Sequence, residues 1–521
     1  MKPIPFNSVG AVGVVKDIGP AELPAGAWSD AKNIRFLDGA ALQFLGHGQV
    51  YLTPPEAPQY LLQANVAGAR YWLYGTANKQ YAASNATGAS VHTDITHATP
   101  RTGKVNAWSG CVFGGVPVLN AGDGKPPMYW DQNLTHKFVD LTAWPANTSC
   151  RVIRQFKNML IALDITKAAG ARYPYMVKWS SLAVAGALPS TWNEADATQD
   201  AGEFDLAEGQ DPIVDGLGLK DSFIVYKESS TWAIDYIGGA FVLKSRKVSG
   251  MSGLLGMNCA VDFDTGMQNM HFAVTGSDIV IHDGFSARSV LDKKARRFFF
   301  QSIDVANRGR VFVFKNPFLN EIFVCYPSVG ATWCDTALVY NYVDGTVTFR
   351  SLPNITHAAY GPVDNSLAGN WNQDSAPWDT DLTAWNGPDF TPDTARVMMG
   401  SADTKLFLLD ASTSFDGALP NAYLERRGLH FDAPERIKEI SGVRPRITGN
   451  RGGTVLVRLG AADDPGAEPV WGPPITFTIG STSKLDQFIS GRYLAIRFET
   501  GTAYSWKLDG FGLDVVDAGE F

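Results

Sequence analysis

Charge is scarce in this chain. Asp, Glu, Lys and Arg make up 18% of its 521 residues, against about a quarter in an ordinary soluble domain. Cysteine is scarce too. Cys111, Cys150, Cys259, Cys325 and Cys334 form an odd set with no CxxC spacing, which argues against a disulfide framework or a zinc site. No apolar run approaches the ~18 residues of a membrane span. The opening MKPIPFNSVGAVGVVKDIGP lacks the apolar core of a signal peptide. A soluble protein made in the cytoplasm is the expectation. There is no GxSxG, HExxH or GxxxxGK[ST] motif and no sialidase-type Asp-box. A basic excess is missing as well: the net charge is −8. That weighs against a sequence-reading DNA binder, whereas an acidic wall repels phosphates and lets DNA slide past.

Aromatic and turn residues are abundant. Aromatics reach 12%, with 14 Trp, and 52 Gly and 29 Pro are spread along the whole length. This excludes a coiled coil, a collagen and a largely disordered chain, and points to many short strands. The length suits two or three domains.

Residues 1–50 read as an extended arm, punctuated by Pro3, Pro5, Pro20 and Pro24. From about 51 to 415, short apolar strands alternate with tight turns. Tyr71–Tyr74, Met159–Leu163, Phe223–Tyr226, His271–Val274, Glu321–Cys325 and Val397–Gly400 each belong to such a unit. The units recur at very roughly 40 to 75 residues, near the period of propeller blades. The expected fold is all-β: a β-propeller of about six blades, with a two-sheet sandwich as its structural competitor. Residues 362–394 form a polar insertion carrying Trp371, Trp378 and Trp385, either anchored on those rings or docking a partner. Residues 416–521 change texture: Val455–Leu459, Ile475–Ile479 and Leu494–Phe498 alternate with period two, which predicts a C-terminal β-sandwich-like domain. Residues 434–441 are its entering strand or a helical turn.

No catalytic motif survives inspection, so no enzyme, cofactor or metal is expected. His92 and His97 are the only close histidine pair bracketing an Asp, too few ligands for a metal. Asp262–Gly266 begins like a calcium loop, but Ala273 stands where its closing Glu belongs. A glycoside-binding or glycoside-cleaving propeller is the alternative, with Glu194, Asp196, Glu203, Asp205 and Glu208 as its candidate carboxylates. Two basic clusters, Lys244–Lys247 and Lys293, Lys294, Arg296 and Arg297, are solvated turns or contacts to an acidic partner or DNA.

The most specific segment is DIGPAELPAGAWSDAKNIRFLDG, residues 17–39, followed by Gly46. Near the other end stand Trp471-Gly472-Pro473-Pro474, Gly491–Phe498 and Trp506-Lys507-Leu508-Asp509-Gly510. Together they resemble the tail nozzle or tail hub proteins of short-tailed bacteriophages, also called packaged-DNA stabilisation proteins. The resemblance covers both ends and leaves the middle to pattern alone. It implies a structural virion protein of the tail: a homo-hexameric ring beneath the portal-adaptor (head–tail connector). Such a ring continues the channel for double-stranded DNA, retains packaged DNA and docks a tail needle or plug and spikes or fibres. Trp28 and Phe36 are expected to pin the arm or to face a neighbour. Arg35 is expected to brace a turn near Asp38, and Gly39 to close a tight hairpin.

Overall fold

The structure, a computed structural model, describes residues 3–24, 26–66, 69–84, 91–238, 242–248, 250–363 and 395–520. Five antiparallel four-stranded sheets follow one another along the chain. Blade 1 begins at Tyr60–Val66, blade 2 at Ser109–Phe113, blade 3 at Ser149–Phe156, blade 4 at Ile213–Leu219 and blade 5 at Ala260–Asp264. Two more blades share one seven-stranded sheet. Its long strand Val347–Pro362 pairs through Val347–Ser351 with Cys334–Asn341, and through Ile355–Pro362 with Ala395–Ser401. The first half is the outer strand of blade 6, which begins at Phe312–Asn316; the second half is the innermost strand of blade 7.

The chain is therefore a seven-bladed β-propeller, one blade more than the strand pattern suggests. The extra unit is blade 2. Its central strand Val116–Asn120 contains Pro117, and its outer strands Met128–Tyr129 and Val139–Asp140 have two residues each. A proline and such short strands hide a strand signal.

Blade 7 is completed from the other end of the chain. Gly46–Gln49 pairs with Lys405–Ser412 as its fourth strand, so the ring closes by joining the two ends of the propeller sequence. Among its described residues, the rest of segment 1–50 adds several short strands to other sheets, with a 3-10 turn at Pro20–Glu22 between them. Pro3–Asn7 pairs with Trp506–Glu520, and Asp30–Lys32 pairs with Tyr423–Leu429. Ile34–Leu37 and Ala40–Gln43 form a hairpin whose second strand also pairs with Trp506–Glu520. Asp38 and Gly39 turn that hairpin with φ of 52° and 75°, the two positive values of a type I′ turn.

The C-terminal unit is a sandwich of two six-stranded sheets. Residues 434–441 enter the long strand Arg436–Gly449, not a helix. Val455, Val457 and Leu459 alternate inward beside Leu494, Ile496 and Phe498, and share one apolar cluster with Ile440, Val443, Leu508, Phe511 and Leu513. That cluster continues through Trp28, Ile34 and Phe36 of the arm into residues of blades 4, 5 and 6. The arm also covers the outer edge of blade 6: Asn33 donates its backbone N–H to the Phe349 carbonyl at 2.8 Å, which blunts an otherwise open edge strand.

Candidate assembly surfaces and the propeller axis

Two aromatic residues of the family-like motif point inward. Trp28 and Phe36 are each 2% exposed. The Trp28 indole N–H donates to the Val9 carbonyl at 2.6 Å, and the ring lies 6.4 Å from Phe498 and 6.1 Å from Phe511. Their role inside this chain is to pin the arm to the sandwich. Gly10 permits this course: a Cβ there would meet the Ala40 carbonyl oxygen at 2.2 Å.

Arg35 does not brace the Asp38 turn. Its guanidinium grips Glu321 of blade 6 at 2.8 and 3.0 Å and reaches Asp410 of blade 7 at 2.6 Å. Arg350 binds the other Asp410 oxygen at 2.7 Å and the Leu45 carbonyl at 2.8 Å. Two cations and two anions thus form a buried, charge-neutral set where arm, blade 6 and blade 7 meet. Both guanidinium groups lie over the Phe44 ring, at 4.5 and 4.7 Å. Burial pushes the Glu321 carboxyl up against the pull of Arg35. At Asp410 burial pushes the same way, but Arg35 and Arg350 outweigh it and hold that carboxyl below the usual range.

Much of the basic cluster is occupied within the chain. The Lys294 ammonium donates to the Gly345 carbonyl at 2.6 Å, and the Lys294 carbonyl accepts the backbone N–H groups of Lys16 and Asp17. The Asp17 carboxylate accepts the backbone N–H groups of Arg297 and Phe298, at 2.9 and 3.1 Å, in the first turn of the helix Arg296–Ser302. Arg296 pairs with Asp278 at 3.4 Å, while Lys293 is exposed. In the other cluster, Arg246 pairs with Asp235 at 3.0 Å and covers the Phe285 ring, and Lys247 lies 3.7 Å from Glu208. Trp371, Trp378 and Trp385 lie outside the described residues.

The propeller axis is crossed by side chains. Arg154 on the inner strand of blade 3 binds Asp215 of blade 4 at 2.9 and 3.0 Å, and Asn258 at the entry to blade 5 at 2.8 Å. Asn258 reaches the Trp108 carbonyl beside blade 2, at 3.4 Å. Asn106 donates to the Gly309 and Val311 carbonyls beside blade 6, at 3.0 and 2.9 Å. Hydrogen bonds between non-adjacent blades leave no bore at that level. A duplex, whose major groove alone is about 12 Å wide, does not thread this axis.

Turns between first and second strands, and between third and fourth strands, share one propeller face. There Met267 and Phe285 of blade 5, and Phe318 and Val343 of blade 6, are 95%, 72%, 74% and 66% exposed. These four large apolar tips belong to neighbouring blades on that face, while Val305 and Val329, 87% and 71% exposed, lie elsewhere on them. The second half of Val347–Pro362 ends, and Ala395–Ser401 begins, at that same face.

Three of the carboxylates considered for glycoside chemistry have partners within the chain. Glu194 and Glu203 both bind the buried Lys178 ammonium, at 2.5 and 3.0 Å, and Glu203 also binds Lys167. Asp196 caps the turn at Thr198. The close histidine pair does not converge either: His92 contacts the Tyr74 hydroxyl and His97 lies 3.2 Å from Asp140. Among the described residues no three His, Cys, Asp or Glu side chains gather as metal ligands, and all five cysteines are free.

Sequence reasoning missed a buried polar chain between blades 4 and 5. The Tyr226 hydroxyl lies 2.8 Å from His271 Nδ1 and 2.7 Å from His282 Nε2. His271 Nε2 faces the Gly218 carbonyl at 2.9 Å, and His282 Nδ1 accepts the Gly284 N–H at 3.2 Å. One proton arrangement satisfies all four contacts: His282 Nε2–H donates to Tyr226, Tyr226 donates to His271, and His271 Nε2–H donates to Gly218. Both rings are fully buried, and burial pushes His271 down to about 4 and His282 down to about 3.

The chain matches no protein-family model and no curated protein. Among solved structures it is similar to the WD40 domain of Neurospora crassa Pan2, at 8% identity and TM-score 0.35, over 71% of this chain and 94% of that one. It is also similar to apo AztD from Citrobacter koseri, at 12% identity and TM-score 0.31, over 56% and 71%. PorZ of Porphyromonas gingivalis, a surface component of the type-IX secretion system, matches at 9% identity and TM-score 0.37, over 84% and 46%. Likeness at this level carries no functional argument. The class is defined by the sheets themselves: an all-β chain with a closed propeller and a sandwich clasped by its N-terminal arm. No helix among the described residues is long and apolar enough to cross a membrane.

Proposed function

We propose that this chain is a structural protein of a short-tailed bacteriophage tail, a nozzle or hub subunit that assembles into a hexameric ring beneath the portal-adaptor. One observation carries the reading. The separated segments that resemble that family, 17–39 and 471–510, fold against each other as one clasp: Trp28 packs on Phe498, and Leu42, just beyond the first segment, pairs with Lys507 of the second. A motif split between distant segments and reunited in a single β-domain suits an assembly module. The exposed apolar tips of blades 5 and 6 are suited to a head-to-tail contact, in which one patch meets a different patch on the neighbour. Because the propeller axis is crossed by Arg154, Asp215 and Asn258, the DNA path in this reading lies between subunits, along the axis of the ring. Retention of DNA and docking of needle, spikes or fibres would then be tasks of the assembled ring.

The test is electron microscopy of native particles labelled with antibody fragments against this chain. The expected result is label on a ring between portal and tail tip, with the symmetry given by counting. Label absent from particles, with the chain recovered only as free monomer, overturns the reading.

A further inference from the structure

Arg35 ends a row of four residues across the sandwich sheet that contains Trp506–Glu520. Thr448 is opposite Lys507, Lys507 opposite Leu42, and Leu42 opposite Arg35. Directly opposed residues share a face of the sheet. The adjoining row, Ile447, Leu508, Ala41 and Phe36, is buried in the core, so the row that ends at Arg35 belongs to the outer face. Lys507 and Leu42 are also the last pair between their two strands. Beyond them Trp506 stays beside Gly449, while the arm turns away through residues 43–45 into Gly46–Gln49 of blade 7. A groove of about 270 Å³ lies at this divergence, lined by Arg35, Leu42, Leu45, Thr448, Trp506 and Lys507 among others. Its described lining holds two cations and no carboxylate.

Arg35 brings an unused donor to that groove. A guanidinium carries five N–H groups. Nε and Nη2 direct three of them at Glu321 and Asp410, and those on Nη1 bond to nothing among the described residues. Nη1 is not sealed off. The Arg35 side chain is 7% exposed, and Nη1 is absent from the enclosed, unbonded arginine nitrogens, which include Arg350 Nε and Arg426 Nη1. Glu321 and Asp410 hold the guanidinium plane in place, so its free edge needs no ordering when a ligand arrives. Lys507 stands on the far side of Leu42, its ammonium 3.0 Å from Asp509. Leu42 and Leu45 are half-buried and give the groove an apolar part. An inorganic oxyanion would leave that part unused, and a hydrocarbon would leave Nη1 unused. A carboxylate on an apolar body meets both.

We propose that this groove binds a carboxylate carried on an apolar body, with Arg35 Nη1 and the Lys507 ammonium on the carboxylate and Leu42 and Leu45 against the body. The carboxylate can belong to a free acid or to the last residue of a peptide. The inference stands independently of the tail reading. It is tested on the full chain by calorimetric titration with phenylacetate, its neutral analogue phenylacetamide, and the peptide acetyl-Gly-Gly-Phe. Crystals are also soaked in 4-bromophenylacetate. The acids should bind, the tighter of the two identifying the source, and the amide should bind about tenfold more weakly. The soaked crystal should show a carboxylate in contact with Arg35 Nη1. Lys507→Met should weaken binding about tenfold, and Leu42→Trp, which fills the groove from a half-buried position, should abolish it. Equal binding of acid and amide overturns the carboxylate assignment. Binding unchanged in both variants lies elsewhere and overturns the site. No heat at about 10 mM ligand overturns the proposal, and density in the soaked crystal without heat is binding at crystal concentration only, which overturns it as well. If either variant does not fold, the comparison of acid with amide and the soaked wild-type crystal still decide.

Discussion

Replacing Arg35 by Met tests whether the arm is locked to the propeller electrostatically. Arg35 makes three charge-assisted contacts, two to Glu321 and one to Asp410. Such bonds contribute about 1.5–3 kcal/mol each, so a simple sum would overstate the loss. Asp410 retains Arg350 after the change. The group left uncompensated is Glu321, whose side chain is 3% exposed, and breaking a buried pair on one side costs about 3–5 kcal/mol. Removing both partners, in Arg35→Met/Glu321→Leu, leaves Arg350 with Asp410, a neutral pair. The double variant should therefore be more stable than the single one. The single variant should also depend on pH. Without Arg35 the Glu321 carboxyl rises further above its unfolded value, so the folded state gains relative stability as the carboxyl protonates. The deficit against wild type should be largest above neutrality and should shrink as the pH falls toward 5. Equilibrium denaturation followed by tryptophan fluorescence reads both effects. A double variant no more stable than Arg35→Met, or a deficit independent of pH, would refute the reasoning.

Acid should weaken the junction of blades 4 and 5 before the carboxylates titrate. His271 and His282 have depressed folded-state pKa values of about 4 and about 3, while the unfolded rings protonate near 6.5. The unfolded state therefore binds more protons below that value. Stability is full above it and falls by about 1.4 kcal/mol per pH unit for each ring until the folded value is reached. The urea midpoint should drop between pH 6.5 and 4.5, His282→Gln should remove about half of the slope, and a flat profile would contradict the assignment. Trp28→Ala should cost about 3–5 kcal/mol, as for other buried large side chains, and should open the arm to limited proteolysis near residues 10–28. An unchanged digestion pattern would mean that the ring does not hold the arm.

The sandwich was legible because its strands are long and alternate: Val455, Val457 and Leu459 are buried, with the half-buried Leu456 and Arg458 between them. The propeller was legible where a central strand forms an apolar run, as in Phe223–Tyr226. Blade 2 was hidden by Pro117 and by strands of two residues. The closing strand Gly46–Gln49, Gly-His-Gly-Gln, was illegible for a different reason. It has no apolar pattern of its own, and its identity comes from a partner, Lys405–Ser412, at the far end of the propeller. The same distance concealed the Arg35 network, whose partners lie 286 and 375 residues away. His271 and His282 face each other across one hairpin of blade 5, but the tyrosine that joins them comes from blade 4 and was not legible.

These long separations have a consequence for how the molecule holds together. Segment 1–50 supplies the fourth strand of blade 7, the edge cover of blade 6, three arm strands in the sandwich's first sheet and one strand in its second. Apart from its own hairpin, these partners lie hundreds of residues away, so each such contact closes a long loop. Without it, blade 7 would have three strands and blade 6 an open edge, and an open edge pairs readily with other chains. The arm is thus the element that turns a row of blades into a closed ring and joins that ring to the sandwich.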